Sequence, residues 1–211
     1  MTRSTAPAIQ SAGLDDVPEI AELIATAFAP LAVARWLVPH GPGGPDDTTE
    51  RVRRLTANFA VHVEHALEHG HIDLTGDRTG VAVWVHQEPG APEPPEPAGY
   101  PARLAASAGP HLARFQALDE AFGENHPQEP HHHLAFLAVH PGRQGDGLGT
   151  ALLHHHHAAL EAAGRAGYLE ASSERSRALY RRHGYRDMGD PFHLRPDGPP
   201  MWPMWREAGA R

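Results

Sequence analysis

Apolar positions along the chain recur with two different periods, and the alternation of those periods predicts the order of elements. Residues Ala8 to Gln10 read as a short strand. Ile20, Leu23, Ile24, Ala27 and Phe28 then follow at helical spacing after Leu14-Asp-Asp-Val-Pro-Glu19, where Asp15 or Asp16 supplies the cap and Pro18 sits in the tolerant first turn. The stretch Gly41 to Pro45 breaks the chain. A second helix is predicted from Asp46 to Glu68, with Val52, Leu55, Phe59, His62 and Val63 on one side and Gly70 as its stop. His71 to Thr75 and Val81 to Val85, separated by Gly76-Asp-Arg-Thr-Gly80, predict a hairpin.

Pro89 to Pro101 holds Glu93-Pro-Pro-Glu-Pro97 and reads as a solvated loop, because proline runs supply neither helix nor central strand. One helix is then expected from Ala102 to Phe122. The second half predicts a strand (His132 to Val139), a glycine turn, a helix (Gly147 to Ala163), a strand (Tyr168 to Ala171) and a helix (Ser173 to His183). Late strands follow around Phe192 and from Met201 to Trp205. Such alternation makes a mixed α/β architecture with a central sheet, and no internal repeat interrupts it. The apolar Pro199 to Trp205 stretch is read as completing that sheet, with cover for a partner chain as the alternative.

Length and charge narrow the classes. At 211 residues the chain suits one domain able to bury roughly 70% of its unfolded surface, so no disulfide or metal staple is required. Cysteine is absent, which removes thiol nucleophiles, zinc ribbons and disulfide frameworks. All 18 cations are arginines, set against 26 acidic residues, and the formal charge of −8 argues against nucleic-acid binding. The 18 histidines make that charge strongly pH-dependent below about pH 6.5. The longest apolar run, Leu134 to Val139, is far too short for a membrane span, and the first residues lack the apolar stretch of a signal peptide. The expectation is a cytoplasmic chain.

The chemistry concentrates in Val139-His-Pro-Gly-Arg-Gln-Gly-Asp-Gly-Leu-Gly-Thr150, between a strong strand and a helix opened by small residues. Glycines at a helix start expose unpaired amides to an anion. A Walker loop is excluded because there is no lysine. The fingerprint G-x-G-x-x-G fails because Thr150 or Leu152 falls at its third glycine.

Arg143-Gln144-Gly145-Asp146-Gly147-Leu148-Gly149, on a strand-turn-helix, resembles the acyl-coenzyme A signature Q-x-x-G-x-G of the GNAT superfamily of N-acyltransferases. Downstream, Tyr168-Leu-Glu-Ala-Ser-Ser173 and the helix ending in Leu179-Tyr-Arg-Arg-His-Gly-Tyr185 resemble its later strand and motif. The order and the Leu-Glu-Ala-Ser strand are similar to the puromycin N-acetyltransferase branch. The likeness is loose from Leu14 to Val85, poor across the proline loop and close from Leu134 to Tyr185.

The resemblance implies a GNAT-type mixed sheet of about six or seven strands flanked by helices, residues 1–211 forming one acetyltransferase domain. It also implies acetyl-coenzyme A as cosubstrate. Leu137, Ala138 and Val139 would pair with the pantetheine amides. Arg143, Gln144 and the segment Gly145, Asp146, Gly147, Leu148, Gly149 and Thr150 would hold the pyrophosphate, with Ser173 and Ser176 nearby. Tyr180 matches the residue that protonates the departing thiolate, and Glu170 a base or substrate contact acting directly or through water. His133 is the other candidate base. Phe28 and Trp36 are candidate linings of an acceptor pocket, although Phe28 to Trp36 lacks the acidic-aromatic pair that puromycin would call for.

The expected activity is acetyl transfer to the primary amine of a small metabolite or antibiotic, by direct attack in a ternary complex. The bulky segments Gly41 to Pro45 and Pro89 to Pro101 would cover a compact pocket. Two alternatives stand beside it: an inactive coenzyme-binding regulatory module, and an acetyltransferase for protein N-termini or lysines. The expected partner is a small amine, with no nucleic acid or membrane and with the chain as monomer or homodimer. His154 with His157 on a helix, and His131 with His133 on a strand, share faces that make a metal conceivable. Without cysteine or H-E-x-x-H spacing the expectation is no functional metal, only adventitious Ni or Zn binding.

Overall fold

The structure, a computed structural model, describes residues 7–40, 47–92, 94–195 and 197–209. The first half runs β1 (Ile9–Ser11), a 3₁₀ turn (Leu14–Asp16), α1 (Val17–Phe28), α2 (Ala32–Leu37), α3 (Thr48–His69), β2 (Gly70–Thr75) and β3 (Gly80–Gln87). The second runs α4 (Tyr100–Ala108), α5 (Leu112–Asn125), β4 (His131–Val139), α6 (Leu148–Ala163), β5 (Ala166–Ala171) and α7 (Glu174–Arg182). The short β6 (Arg186–Asp187) and β7 (Phe192–His193) then lead to β8 (Pro200–Arg206).

The strands form one mixed sheet in the order β1-β2-β3-β4-β5-β8-β6, with β7 on β8. Strands β4 and β5 pair in parallel and all other pairs are antiparallel. Strand alternation divides the core cleanly. Val81 and Val83 face α1, α3 and the helices beyond, while Ala82 and Trp84 face the Leu152–Leu153 side of α6 and Tyr180 of α7. The Pro199 to Trp205 stretch completes the sheet, as β8 pairs with β5.

Several expectations shift. The single helix from Ala102 to Phe122 is two, separated by a 3₁₀ turn at Gly109–His111, because Gly109 takes φ +55° and Pro110 has no N–H to continue the ladder. The first of them starts at Tyr100, inside the expected loop, since Pro101 falls in its first turn. Helix α2 occupies a segment to which the apolar pattern assigned no element, and two-residue β6 is too short to leave a periodic trace. Helix α3 begins at Thr48, its first turn capped by the Asp47 carboxylate, which accepts from Glu50 N at 2.9 Å. The expected break at Gly41 to Pro45 lies outside the described residues.

The feature that opens a site is a parting of strands. Register between β4 and β5 covers only His131↔Ala166, His132↔Gly167 and His133↔Tyr168. Beyond His133, β4 stays paired with β3, through an irregularity at Val83/Trp84 that leaves Ala135 unmatched, while its other edge separates from β5.

Candidate active site

A cleft of about 380 Å³ fills the gap where the strands separate. Leu137, Ala138 and Val139 form one wall along the free edge of β4, and the start of α6 and one side of α7 form the others. Gly147 precedes α6 at φ +83° and Gly145 stands at φ +95°, left-handed conformations that L-residues adopt at a cost. A Cβ at either would meet nothing within 4 Å, so these glycines are needed for backbone conformation and not for space. No side chain caps α6, and its first intrahelical bond runs from Ala151 N to Gly147 O at 2.9 Å. The preceding amides are free to meet an anion, at the positive end of a 16-residue helix.

Arg143, Gln144, Gly145, Gly147, Leu148, Gly149 and Thr150 all line this cleft, as do Ser173 and Ser176. The two serines are engaged locally: Ser173 Oγ caps α7 by accepting from Ser176 N at 3.1 Å. Asp146 does not line the cleft; its carboxylate accepts from Arg143 Nε at 2.8 Å, while Arg143 Nη1 reaches Asp77 at 2.7 Å. Arg175 and Arg182 also line the cleft. Sequence reading missed both; their only trace is the arginine density of Ser173 to Arg182.

The cleft adjoins a chamber of about 90 Å³, with Phe28, Leu137, Ser172 and Tyr180 lining both. Glu170 lines the chamber from β5. Phe136 and Phe59 line both the chamber and a third space of about 310 Å³ between α3, α5 and β4. Phe28, Phe59 and Phe136 meet at this junction with ring centroids 4.9–6.0 Å apart. The third space is mostly apolar by surface, with Phe115, Leu118 and Phe122 on α5, and its polar groups are Asn58, Gln87, Asp119 and the imidazoles of His62, His65, His126, His131 and His133. Pro94 and Pro97 of the proline stretch form part of its wall.

Glu170 and His133 are brought together at the point of parting, with His133 Nε2 2.8 Å from Glu170 Oε2. The Glu170 side chain is only 4% exposed, and its Oε1 is buried without a hydrogen-bond partner. Burial by itself would raise this carboxyl; the charge of His133 and its hydrogen bond outweigh that, so the group stays ionised below the ordinary carboxylate value. Burial raises the Tyr180 phenol well above its usual value and keeps its proton on oxygen. Asp119, which accepts from Tyr100 Oη at 2.9 Å, is pushed up to about 6 by burial. His62 and His126 are pushed down to about 4, also by burial, so both rings are neutral at pH 7.

Trp36 does not line these spaces. It is 8% exposed in the core, its ring lies 5.3 Å from the Arg114 guanidinium, and its carbonyl accepts from Arg114 Nη1 at 2.8 Å. The helix α2 that carries it turns its apolar side inward, which corrects the expectation that it lines an acceptor pocket. Phe28, the other aromatic candidate, does reach both cleft and chamber.

Residues 113–187 match the family model of the acetyltransferase (GNAT) domain. The chain is also similar along its length to the crystal structure of histone acetyltransferase HPA2 and related acetyltransferase from Corynebacterium glutamicum. That likeness has 29% identity, covers 98% of this chain and 99% of that one, and has a TM-score of 0.71. Part of the chain, residues 113–187, is thus similar to the GNAT acetyltransferase domain. Two further structures share its fold at lower identity. Arylalkylamine N-acetyltransferase 2 from Aedes aegypti is 14% identical over 96% of this chain and 99% of that one, TM-score 0.61. The ribosomal-protein-S18-alanine N-acetyltransferase from Escherichia coli is 19% identical over 95% and 92%, TM-score 0.52.

The matched GNAT segment holds the glycine turn, His133, Glu170 and Tyr180. Phe28, Asn58, Phe59 and His62, which help enclose the chamber and the third space, lie outside it. A GNAT domain implies use of acetyl-coenzyme A. The cleft has the features such a group requires: uncapped amides at the helix start, three arginines beside them and an unpaired strand edge for an extended pantetheine. Among the described residues no helix is long and apolar enough to cross a membrane.

Proposed function

We propose that the protein is an acetyl-coenzyme A-dependent N-acetyltransferase for a small-molecule primary amine, working by direct transfer in a ternary complex. The observation that carries this reading is the adjacency of the three spaces. A donor cleft, a small chamber lined by Glu170 and Tyr180, and a mostly apolar pocket share walls in that order. In that arrangement the diphosphate lies on the amides of Gly147 to Thr150 with Arg175 and Arg182 beside it, and the pantetheine runs along Leu137 to Val139. The thioester then lies in the chamber. Neighbouring Arg143 is held by Asp77 and Asp146.

The amine enters from the third space as the free base and its lone pair attacks the thioester carbonyl. As the C–N bond forms, nitrogen becomes acidic and passes a proton to Glu170 Oε1, directly or through one water, while His133 fixes Oε2. The C–S bond breaks and Tyr180 Oη gives its proton to sulfur; a phenol is a weaker acid than a thiol, so this transfer is completed by the proton that Glu170 hands on. Glu170 then returns a proton to Tyr180 through solvent, leaving the amide and free coenzyme A.

A small acceptor is favoured because the third space, walled by α5 and by Pro94 and Pro97, has a volume of only about 310 Å³. Its phenylalanines suit an amine with an apolar or aromatic body. The Leu169-Glu170-Ala171-Ser172 strand supports a link to the puromycin-type branch, so aminated antibiotics belong among the candidates. The direct test is acetyl-coenzyme A consumption against an amine panel that includes puromycin, arylalkylamines and a peptide N-terminus. A turned-over small amine with Tyr180→Phe lowering kcat about 10²-fold at unchanged acetyl-coenzyme A affinity supports the reading. Coenzyme binding with no transfer to any amine would favour the regulatory module.

A further inference from the structure

On the opposite side of β4 from His133, three imidazoles from three different elements converge. His86 of β3, His132 of β4 and His156 of α6 offer nitrogens that all lie within 4.8 Å of one another, among the described residues. His132 Nδ1 stands 3.0 Å from His156 Nε2, and the His86 ring stacks on the His132 ring with centroids 3.7 Å apart, so His86 must rotate out of the stack before its nitrogen can share an ion with His132. His86 Nε2 is buried and has no hydrogen-bond partner.

The outer nitrogens of the pair each face a carboxylate. His132 Nε2 is 3.3 Å from Glu88 Oε1, and His156 Nδ1 is 3.5 Å from Asp73 Oδ2. Asp73 is fully buried, also accepts from His71 at 2.8 Å, and its Oδ2 otherwise lacks a donor. Glu88 is held from its other side by Arg165 at 2.9 Å.

Proton counting shows what is missing. A neutral imidazole carries one N–H, and an ionised carboxylate only accepts. If His132 donates to His156 across the 3.0 Å contact, its bare Nε2 faces the Glu88 oxygen. If His156 donates instead, its bare Nδ1 faces Asp73. Two neutral rings therefore cannot satisfy all three contacts. One added proton would satisfy all three contacts, and so would a divalent cation between the inner nitrogens, which alone also employs His86 Nε2. Both N–H groups then turn outward to Glu88 and Asp73, and both inner lone pairs become ligands, the carboxylate–histidine–metal arrangement that orients ligating imidazoles.

We propose that His86, His132 and His156 form a zinc-type transition-metal site, with a fourth position for water, that fastens α6 to β3 and β4. All-imidazole ligation suits Zn²⁺ among the biologically common cations, and partly exposed His86 gives the ion access. The site lies directly behind the strand carrying His133, and its α6 ligand is on the helix whose first turn lines the donor cleft.

The test uses untagged protein prepared without a nickel column, stripped with EDTA and titrated with ZnCl₂. One tight equivalent per chain is expected. The expected Tm rise is about 5–10 °C at a hundredfold excess over Kd. Co²⁺ in its place should give the intense visible bands of a four-coordinate site. His86→Asn and His132→Asn should each abolish the equivalent and the Tm rise, whereas His154→Asn/His155→Asn, on the exposed side of α6, should keep both. Should His132→Asn fail to fold, His86→Asn and the cobalt spectrum of the unaltered chain decide the matter. No stoichiometric binding, a six-coordinate cobalt spectrum, or binding lost with His154 and His155 but retained without His86 would overturn the proposal.

Discussion

His133 Nε2 and Glu170 Oε2 lie 2.8 Å apart, and His133 is the last residue of β4 in register with β5. The contact thus bridges the two strands at the point where they diverge, and it fixes a nearly buried carboxylate at the end of the chamber. Its two members have separable roles. Glu170→Gln keeps the shape and removes the base, so kcat/KM for the amine is expected to fall by about 10²–10³-fold with little change in Tm. His133→Asn leaves Glu170 without its cation-capable partner. The expected signature is a smaller loss of rate together with an acid limb of the pH–rate profile moved to higher pH, because burial of Glu170 is then opposed only by the Tyr168 hydrogen bond and the charge of His126.

Gly147→Ala should act on the donor side alone. Its φ of +83° costs a Cβ-bearing residue about 1–2 kcal/mol, while the open space around it removes any clash. Relaxation of that strain tilts the first amides of α6. The KM for acetyl-coenzyme A is expected to rise roughly tenfold with the amine KM unchanged, as measured by steady-state kinetics with each substrate varied.

Stability should fall steeply on mild acidification. His62 and His126 titrate near 4 in the folded chain against about 6.5 when unfolded, because burial penalises the charged ring. Each has a depressed folded value, so its contribution is fully present above about pH 6.5 and is lost as pH falls toward 4. Denaturant titrations at a series of pH values should show proton uptake on unfolding across that window. His62→Gln or His126→Gln should flatten the slope by nearly one proton each.

Asp119 works in the opposite sense. Its folded value is raised to about 6 by burial, so its contribution is fully present below the unfolded value near 3.8 and declines as pH rises through 6. Asp119→Asn preserves an acceptor for Tyr100. It is expected to raise stability by about 1 kcal/mol at pH 8 and to have little effect at pH 4. A stabilising effect at both pH values would count against a buried charge as the cause.

Much of this site was legible because its donor half is local in the chain. The strand, the glycine turn and the helix start are consecutive, so Leu137 to Thr150 announce their own geometry. The acceptor half is assembled from α3, α5 and β4, far apart in sequence, and periodicity alone could not distinguish Phe28, which reaches the chamber, from Trp36, which does not. Glycine spacing fixes a backbone path but not side-chain pairing, so the bond from Arg143 to Asp146 was not legible. The histidines follow the same logic. Spacing pairs His154 with His157 and His131 with His133, whereas the fold takes one residue from each cluster and adds His86 from a third element.

The cations beside the donor cleft, Arg143, Arg175 and Arg182, have a chemical consequence. A lysine at such a position is an amine, and once deprotonated beside a bound thioester it competes as a nucleophile. A guanidinium stays protonated at any physiological pH and has no free lone pair to offer. In the proposed complex a protein with no ε-amine anywhere in its sequence would grip an electrophile using side chains that the electrophile cannot modify.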